Sequence, residues 1–385
     1  MKHFRPRLSR RAFWVLCALL VCLRLALTGF QQAYIWVGGA PLDDELMFRA
    51  ANHITAGQWL GAYDYLTLSK AMFFPVWLAL LHALHLPYLI SGAALWCGAA
   101  LLAAFAFSTL WRKKDPALGR VLTLGLFAAL AFLPSSWAAY TLRVYRDNIF
   151  PALCLYFFAG MAGMALRAVF TPEKPLWPWL AAAGAGLACG YLDREDAGLF
   201  LLPFAAAATV IVAVVLAGKR RWKALAAQVI PYVMLGVGVL TFCTLNYTHY
   251  GVFALSDFSE GSFAAAMGAM MRVDTDSTAP YLSVPADARK KIYDAVPELE
   301  PLAYWLEEDA QLQNDFRDPN LDDYRAGSFY WAIRRAAQFE GIYADAKTAD
   351  TYWQTVADKI NAACDAGTLP SRTGRRVATS QPISA

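Results

Sequence analysis

The stretch FWVLCALLVCLRLALTGF, residues 13–30, spans 18 positions and contains one charged residue, Arg24. About 20 apolar residues in a helix cross a lipid bilayer. Runs of comparable length recur at 88–111, 120–141, 149–170, 176–192, 197–217 and 224–246. The chain is 58% hydrophobic and only 17% charged, which is too apolar for an ordinary soluble domain. The sequence therefore predicts an all-α, polytopic membrane protein with about seven spans.

The basic residues indicate the orientation of these spans. Clusters of Lys and Arg lie in residues 1–12, 112–120, 167–174 and 219–223, and with seven spans all four fall on one side. Because cytoplasmic loops are enriched in Lys and Arg, we expect a cytoplasmic N-terminus and an external C-terminal region. A cleaved signal peptide is the rival interpretation of residues 1–35, but they lack a clear cleavage site. The topology accounts for the net charge of +4 without a nucleic-acid partner.

Three predicted external loops of the membrane region contain clusters of charged residues. The first follows span one and contains Asp43, Asp44 and Glu45; the second contains Arg143, Arg146 and Asp147; the third contains Arg194 and Glu195 between Asp193 and Asp196. Charges near lipid are retained mainly for pairing or function, so we expect these loops to converge on one outer surface. Three alternatives stay open. Asp43 suits a helix N-cap, the second and third loops suit a structural ion-pair cluster, and Arg194 suits a local pair with Glu195.

Two further cations belong to the membrane region. Lys70 precedes the short apolar stretch 73–86, which we interpret as a re-entrant or interfacial helix, and it is a candidate phosphate ligand. Arg24 lies near the outer end of the first span. We expect its guanidinium to snorkel towards the headgroups rather than to form a site.

These features resemble the GT-C superfamily of polytopic glycosyltransferases, which includes the protein O-mannosyltransferases and the aminoarabinose transferases. The similarity lies in the acidic pair of the first external loop, the helix after it, KAMFFP at 70–75, YRDN at 145–148 and LDREDAGLFLLP at 192–203. It covers about residues 10–250. Members usually have more spans than seven, so this chain departs from the pattern.

The resemblance implies an activity and a role for each charged group. Such enzymes move a sugar from a polyprenyl-phosphate carrier to an acceptor on the outer membrane face, with inversion. Asp44 or Asp43 would be the general base, with Asp44 slightly preferred, and Asp147 a second acid. The donor phosphate would be bound by Lys70, Arg143, Arg146 and Arg194, with Glu45 and Glu195 supporting the site. No cofactor is indicated, and no metal ligands are assigned, although acids of this kind are compatible with a divalent metal.

The resemblance also implies an integral protein of a bacterial inner membrane, with membrane lipid and a lipid-linked sugar donor as partners and an unidentified acceptor. Two alternatives are a non-catalytic GT-C-like scaffold and a lipid or sugar transporter. A transporter should place polar groups at mid-membrane and show internal repeats, and neither pattern is evident.

The domain organisation follows from the uneven hydropathy. We predict a cytoplasmic N-terminus at 1–12, a transmembrane domain at 13–250 with an external loop at 31–87, a mainly helical external domain at 251–369 and a disordered tail at 370–385. Within the external domain, 329–340 and 346–363 have clear helical periodicity. The run Arg289, Lys290 and Lys291 suits a solvated face.

Overall fold

The computed structural model describes residues 8–36, 41–111, 115–258, 260–279 and 281–372. The first seven residues, the basic 112–114 segment and the predicted tail from residue 373 onward lie outside this part. Regular structure in the described residues is helical, as predicted, with only isolated β-bridges besides. The chain divides into two compact units, one made of residues 1–61 and 71–242 and the other of residues 62–70 and 243–385.

The first unit contains ten helices in its described part. They are α1 (Arg10–Thr28), α2 (Pro41–Thr55), α3 (Phe73–Ala83), α4 (Tyr88–Ser108), α5 (Pro116–Ala131), α6 (Phe150–Phe170), α7 (Trp177–Asp193), α8 (Gly198–Gly218), α9 (Trp222–Ala227) and α10 (Ile230–Tyr250), the last of which ends in the second unit. Short 3-10 turns occupy Pro134–Trp137, Ala139–Leu142, Arg146–Asn148 and Glu195–Ala197. Side-chain caps set two of the helix starts, because Ser9 accepts from the Ala12 N–H and Asp115 from the Ala117 N–H.

Five helical segments of the described chain are long and apolar enough to cross a membrane: Arg10–Thr28, Tyr88–Ser108, Phe150–Phe170, Glu195–Gly218 and Trp222–Tyr250. They correspond to five of the predicted spans. The other two coincide with α5 and α7, which have 16 and 17 residues and fall short of the length of about 20 that crosses a bilayer. A total of seven spans therefore stays a prediction.

Small residues determine the closest helix packing of the first unit. A Cβ added to Gly160 of α6 would lie 2.5 Å from the Ala183 backbone N of α7, and one added to Gly186 of α7 would lie 2.4 Å from the Phe157 N of α6. Helices in membranes associate through such close backbone approach, because lipid supplies no hydrophobic driving force between them. The α6–α7 pair is thus the tightly packed centre of this unit.

Arg24 does not snorkel. It is 3% exposed on α1, its Nη2 donates to the Ser136 carbonyl at 2.7 Å, and its guanidinium carbon lies 3.4 Å from the Trp137 ring centroid. The guanidinium packs inside the protein because the turn at Pro134–Trp137 supplies a carbonyl and an aromatic face beside it. That turn lies 112 positions away in sequence, which is why the expectation of snorkelling was wrong.

The second unit contains α11 (Gly261–Met270), α12 (Ala286–Ala295), α13 (Glu300–Glu307), α14 (Ala310–Phe316), α15 (Ala326–Phe339) and α16 (Ala346–Asp365). Its core centres on α11, α15 and α16, with Trp353 and Phe329 fully buried. Arg289 was expected on a solvated face but is 2% exposed, because its guanidinium pairs with Glu307 at 2.6 Å and Asp323 at 2.7 Å.

Residues 62–70 belong to this second unit, although they were predicted as part of the first external loop. The buried guanidinium of Arg334 on α15 donates to the Tyr65 carbonyl at 2.6 Å and the Thr67 carbonyl at 3.3 Å. It also pairs with Asp257 at 2.8 Å. One arginine therefore attaches a segment nearly 270 positions upstream to the helices of the C-terminal region.

Candidate functional site

Within the first unit, backbone pairing brings the first external loop to the 142–148 segment. The Val144 N–H donates to the Tyr34 carbonyl at 2.9 Å, and the Tyr34 N–H donates to the Leu142 carbonyl at 3.2 Å. This isolated bridge positions Arg143 close to the first turn of α2, which contains Asp43 and Asp44. Because α2 begins at Pro41, Asp43 lies inside the first turn and is not its N-cap, although acids in this turn favour the helix dipole.

Asp44 and Arg143 form a buried ion pair. They are 3% and 8% exposed, and both Nε and Nη2 of Arg143 donate to Oδ1 of Asp44, the Nε contact at 2.9 Å. Oδ2 of Asp44 accepts the Trp36 N–H at 2.6 Å. Because its carboxylate accepts hydrogen bonds from both a guanidinium and a backbone amide, Asp44 anchors the first loop. Asp44, the preferred base from sequence, is thus the less accessible acid of the pair.

Asp43 is half-buried and contacts a residue that the sequence analysis did not single out. The phenol of Tyr145 donates to Oδ2 of Asp43 at 3.2 Å, and Nη2 of Arg146 donates to the same phenol oxygen at 2.9 Å. Burial raises the pKa of Tyr145 well above its ordinary value, against the opposing effect of Arg146, so the phenol stays protonated and can donate to the carboxylate. The sequence signal that could have identified Tyr145 is its position inside the YRDN segment.

Arg146 connects the second loop to the third. It is 4% exposed, and its Nη1 donates to Oε2 of Glu195 at 2.8 Å and to the Asp193 carbonyl at 3.0 Å. Burial acts to lower the pKa of this guanidinium, but Tyr145 and Glu195 outweigh it and the net pKa is raised, so Arg146 remains a cation. Glu195 also accepts the Ala71 N–H. The Arg146–Glu195 pair therefore joins three separate segments of the first unit.

Arg194 is the most exposed arginine of the group. Its side chain is 29% exposed, and it donates to Asp147 at 2.9 Å and to Asp196 at 3.0 Å. The expected local pair of Arg194 with Glu195 is therefore wrong, because the two side chains point to different partners. Glu195 turns to Arg146, whereas Arg194 reaches the second loop through Asp147.

Glu45 and Lys70, two further predicted site residues, make other contacts. Glu45 is exposed, with an i,i+4 contact of 3.9 Å to Arg49 on the surface of α2. Lys70 belongs to the second unit, where its ammonium lies 5.6 Å from the Trp331 ring centroid. A lysine at this distance from an indole face makes a cation–π contact within its own unit.

The cluster is thus a chain of three linked ion pairs, Asp44–Arg143, Glu195–Arg146 and Asp147–Arg194, with Tyr145 connecting it to Asp43. Asp193 is fully buried below it, and neither carboxylate oxygen has a hydrogen-bond partner in the described structure. In the described residues, no group of three or more His, Cys, Asp or Glu side chains is arranged to hold a metal ion. Asp43 is half-buried and the Arg194 side chain is partly exposed, so these two groups are the ones we consider for contact with a ligand.

Comparison of the chain with protein-family models, with characterised proteins and with solved structures finds no significant match.

Proposed function

We propose that the protein is a membrane glycosyltransferase of GT-C type that uses a polyprenyl-phosphate-linked sugar. The observation that supports this best is the setting of Asp43. It is a half-buried carboxylate in the first turn of α2, oriented by the neutral phenol of Tyr145 beside a group of arginines. A half-buried carboxylate held in position by a hydrogen-bond donor is suited to act as a general base. The five long apolar helices suit a lipid-linked substrate.

In the proposed reaction, the acceptor hydroxyl attacks the anomeric carbon of the donor sugar from the face opposite the phosphate. Its proton passes to the carboxylate of Asp43 as the new carbon–oxygen bond forms. The bond between the anomeric carbon and the phosphate oxygen breaks, and both electrons leave with the polyprenyl phosphate. The anomeric configuration inverts, and Asp43 becomes a carboxylic acid that later returns its proton to water.

The ion pairs favour a narrower set of phosphate ligands than the resemblance implies. Arg143 and Arg146 are buried and each is already neutralised by a carboxylate, so we assign them to positioning Asp44, Tyr145 and Glu195. Arg194 is accessible, and its partners Asp147 and Asp196 are partly or largely exposed. Ion pairs with a largely exposed carboxylate contribute little stability, so a phosphate can replace Asp196 on Arg194 at small cost.

The test is donor turnover by the purified full-length protein in detergent, supplied with a mixed pool of polyprenyl-phosphate sugars. We expect release of sugar, with Asp43→Asn lowering the rate by about 10²–10⁴-fold, the usual contribution of a general base. Asp43→Asn should stay folded, because asparagine has nearly the same size and keeps an oxygen that can accept the 3.2 Å hydrogen bond from Tyr145. Glu173→Gln is the matched control, since it makes the same chemical change at an exposed carboxylate between α6 and α7.

If neither the wild type nor the control consumes any donor while both are folded, the proposal fails. The three linked ion pairs then favour a non-catalytic scaffold, in which the charges serve only to hold the loops together.

A further inference from the structure

Arg24 is the one charged residue of the apolar stretch 13–30, and the proposed reaction does not use it. Only 3% of the Arg24 surface is exposed, and the residue forms no ion pair within the described structure. Of its three nitrogens, only Nη2 has a hydrogen-bond partner, the Ser136 carbonyl, whereas Nε and Nη1 have none. Stacking on Trp137 offsets part of the cost of burying a charge, but it leaves these N–H groups unsatisfied.

The guanidinium lines a cavity inside the first unit. The cavity is partly open; it is lined by α1, by the start of α4 and by the segment from Ser135 to Asn148, and its volume is about 50 Å³. A single water requires about 10–15 Å³ by this measure, so about three to five waters or a phosphate-sized group fit. Six of the lining side chains are uncharged and polar: Thr28, Gln31, Ser135, Ser136, Thr141 and Asn148. A polar cavity beside an unpaired buried cation is suited to an anion.

Asn148 adds a second requirement for a ligand of this cavity. Its Nδ2 donates to the Thr141 carbonyl at 2.8 Å, which fixes the orientation of the amide. The Oδ1 atom is buried and has no hydrogen-bond donor in the described structure. It occupies space left by Gly92, where an added Cβ would lie 2.2 Å from it. Arg24 and Asn148 thus both line the cavity and both contain polar atoms without partners in the described structure, so a ligand with an anionic oxygen and a hydroxyl would satisfy both side chains.

We propose that this cavity binds a hydroxyl-bearing phosphate ester, with Arg24 on the phosphate and Asn148 accepting from the hydroxyl. The phosphate supplies the countercharge that Arg24 lacks, and the hydroxyl satisfies Oδ1. A lipid headgroup such as phosphatidylglycerol and a soluble ester such as glycerol 1-phosphate share this chemistry. The site is separate from the ion pairs of the proposed transferase and does not depend on that activity.

The experiment measures lipid retention by native mass spectrometry on the full-length protein in detergent, titrated with phosphatidylglycerol or phosphatidylcholine. We expect one phosphatidylglycerol bound in preference to phosphatidylcholine, which has a phosphate but no hydroxyl. Arg24→Gln should weaken binding by about tenfold to a hundredfold, the loss that corresponds to one or two charge-assisted hydrogen bonds. Arg24→Lys, which keeps the charge in case the neutral variant fails to fold, should bind with intermediate affinity.

Two further variants test the geometry. Asn148→Ala should reduce the preference for phosphatidylglycerol over phosphatidylcholine to the part that Arg24 supplies by charge, while leaving phosphate binding. Arg167→Gln is the matched control, because Arg167 also donates to one backbone carbonyl, that of Pro175, and also lies over an indole ring, that of Trp179, but it is outside this cavity. It should bind phosphatidylglycerol like the wild type.

A glycerol 1-phosphate arm distinguishes the two sources. Displacement of the bound lipid by the soluble ester at comparable concentration supports a soluble ligand in the same site, and failure to displace it supports a membrane lipid. Unchanged binding of phosphatidylglycerol by both Arg24 variants would overturn the proposal. Equal binding of the two lipids by the wild type would overturn the role of Asn148 and with it the proposed ligand class.

Discussion

Removing one partner of the buried Asp44–Arg143 pair should strongly destabilise the first unit. Nε of Arg143 lies 2.9 Å from Oδ1 of Asp44, a distance at which two unit charges attract by about 6 kcal/mol at an effective dielectric constant near 20. Desolvation opposes part of this attraction, but loss of one partner leaves the other charge buried and unpaired. Such changes cost about 3–5 kcal/mol. We therefore expect Asp44→Asn and Arg143→Gln each to lower the free energy of unfolding by that amount.

The assay is a double-mutant cycle on the purified protein, followed by unfolding in mixed detergent and SDS. The double variant Asp44→Asn/Arg143→Gln should be destabilised by clearly less than the sum of the single variants, because neither charge is then left alone. Glu45→Gln is the control on the same helix, and its exposed contact with Arg49 should cost under about 1 kcal/mol. Single variants within about 1 kcal/mol of wild type, or strictly additive effects, would refute the idea that this pair anchors the loop.

Two more predictions concern packing and pH. Gly186→Ala should lower the free energy of unfolding by about 1–3 kcal/mol in the same assay, because the added Cβ forces α6 and α7 apart. Gly125→Ala is the control: an added Cβ there meets only open space, so the change should be neutral or stabilising by up to about 1 kcal/mol. Equal effects of the two substitutions would contradict the packing argument. Burial raises the pKa of Asp257 to about 6, against the opposing effect of Arg334, so the folded state binds more protons than the unfolded state between about pH 4 and pH 6. The stability contribution of Asp257 is therefore highest below about pH 4 and is lost as the pH rises through 6, by at most about 3 kcal/mol. The assay is hydrogen exchange of the α15 amides in the wild type and in Asp257→Asn. The protection of the variant relative to the wild type should increase from pH 4 to pH 7, and a difference that does not change with pH would contradict this.

The sequence was informative where local composition decides the structure. Long apolar runs predicted helices such as α4 and α6, and the caps of α1 and α5 lie in the few residues before each helix. The span predicted at 120–141 shows the limit of this reasoning. Hydropathy stays high through the segment, but α5 ends at Ala131 because Pro134 disfavours helical conformation at the residue before it.

The candidate site depended on contacts that composition cannot reveal. The charged loops were identifiable, since short polar segments between apolar runs stand out. The partner of each charge was not, because Asp44 meets Arg143 across 99 positions and Arg146 meets Glu195 across 49. The depth of burial therefore decided the relative roles of Asp43 and Asp44, and burial is a property of the assembled fold.

The attachment of residues 62–70 by Arg334 has a consequence for the synthesis of the chain and for the choice of fragments that can fold. During synthesis, a segment translated early must wait for more than 260 later residues before its carbonyl groups meet their donor. A fragment that starts near residue 243 would contain α15 but lack the Tyr65 and Thr67 carbonyls, so a buried guanidinium would be left with Asp257 as its hydrogen-bond acceptor. Expression of the C-terminal helices as a separate soluble piece should therefore succeed only when the 62–70 peptide is supplied, either fused ahead of the fragment or added in trans.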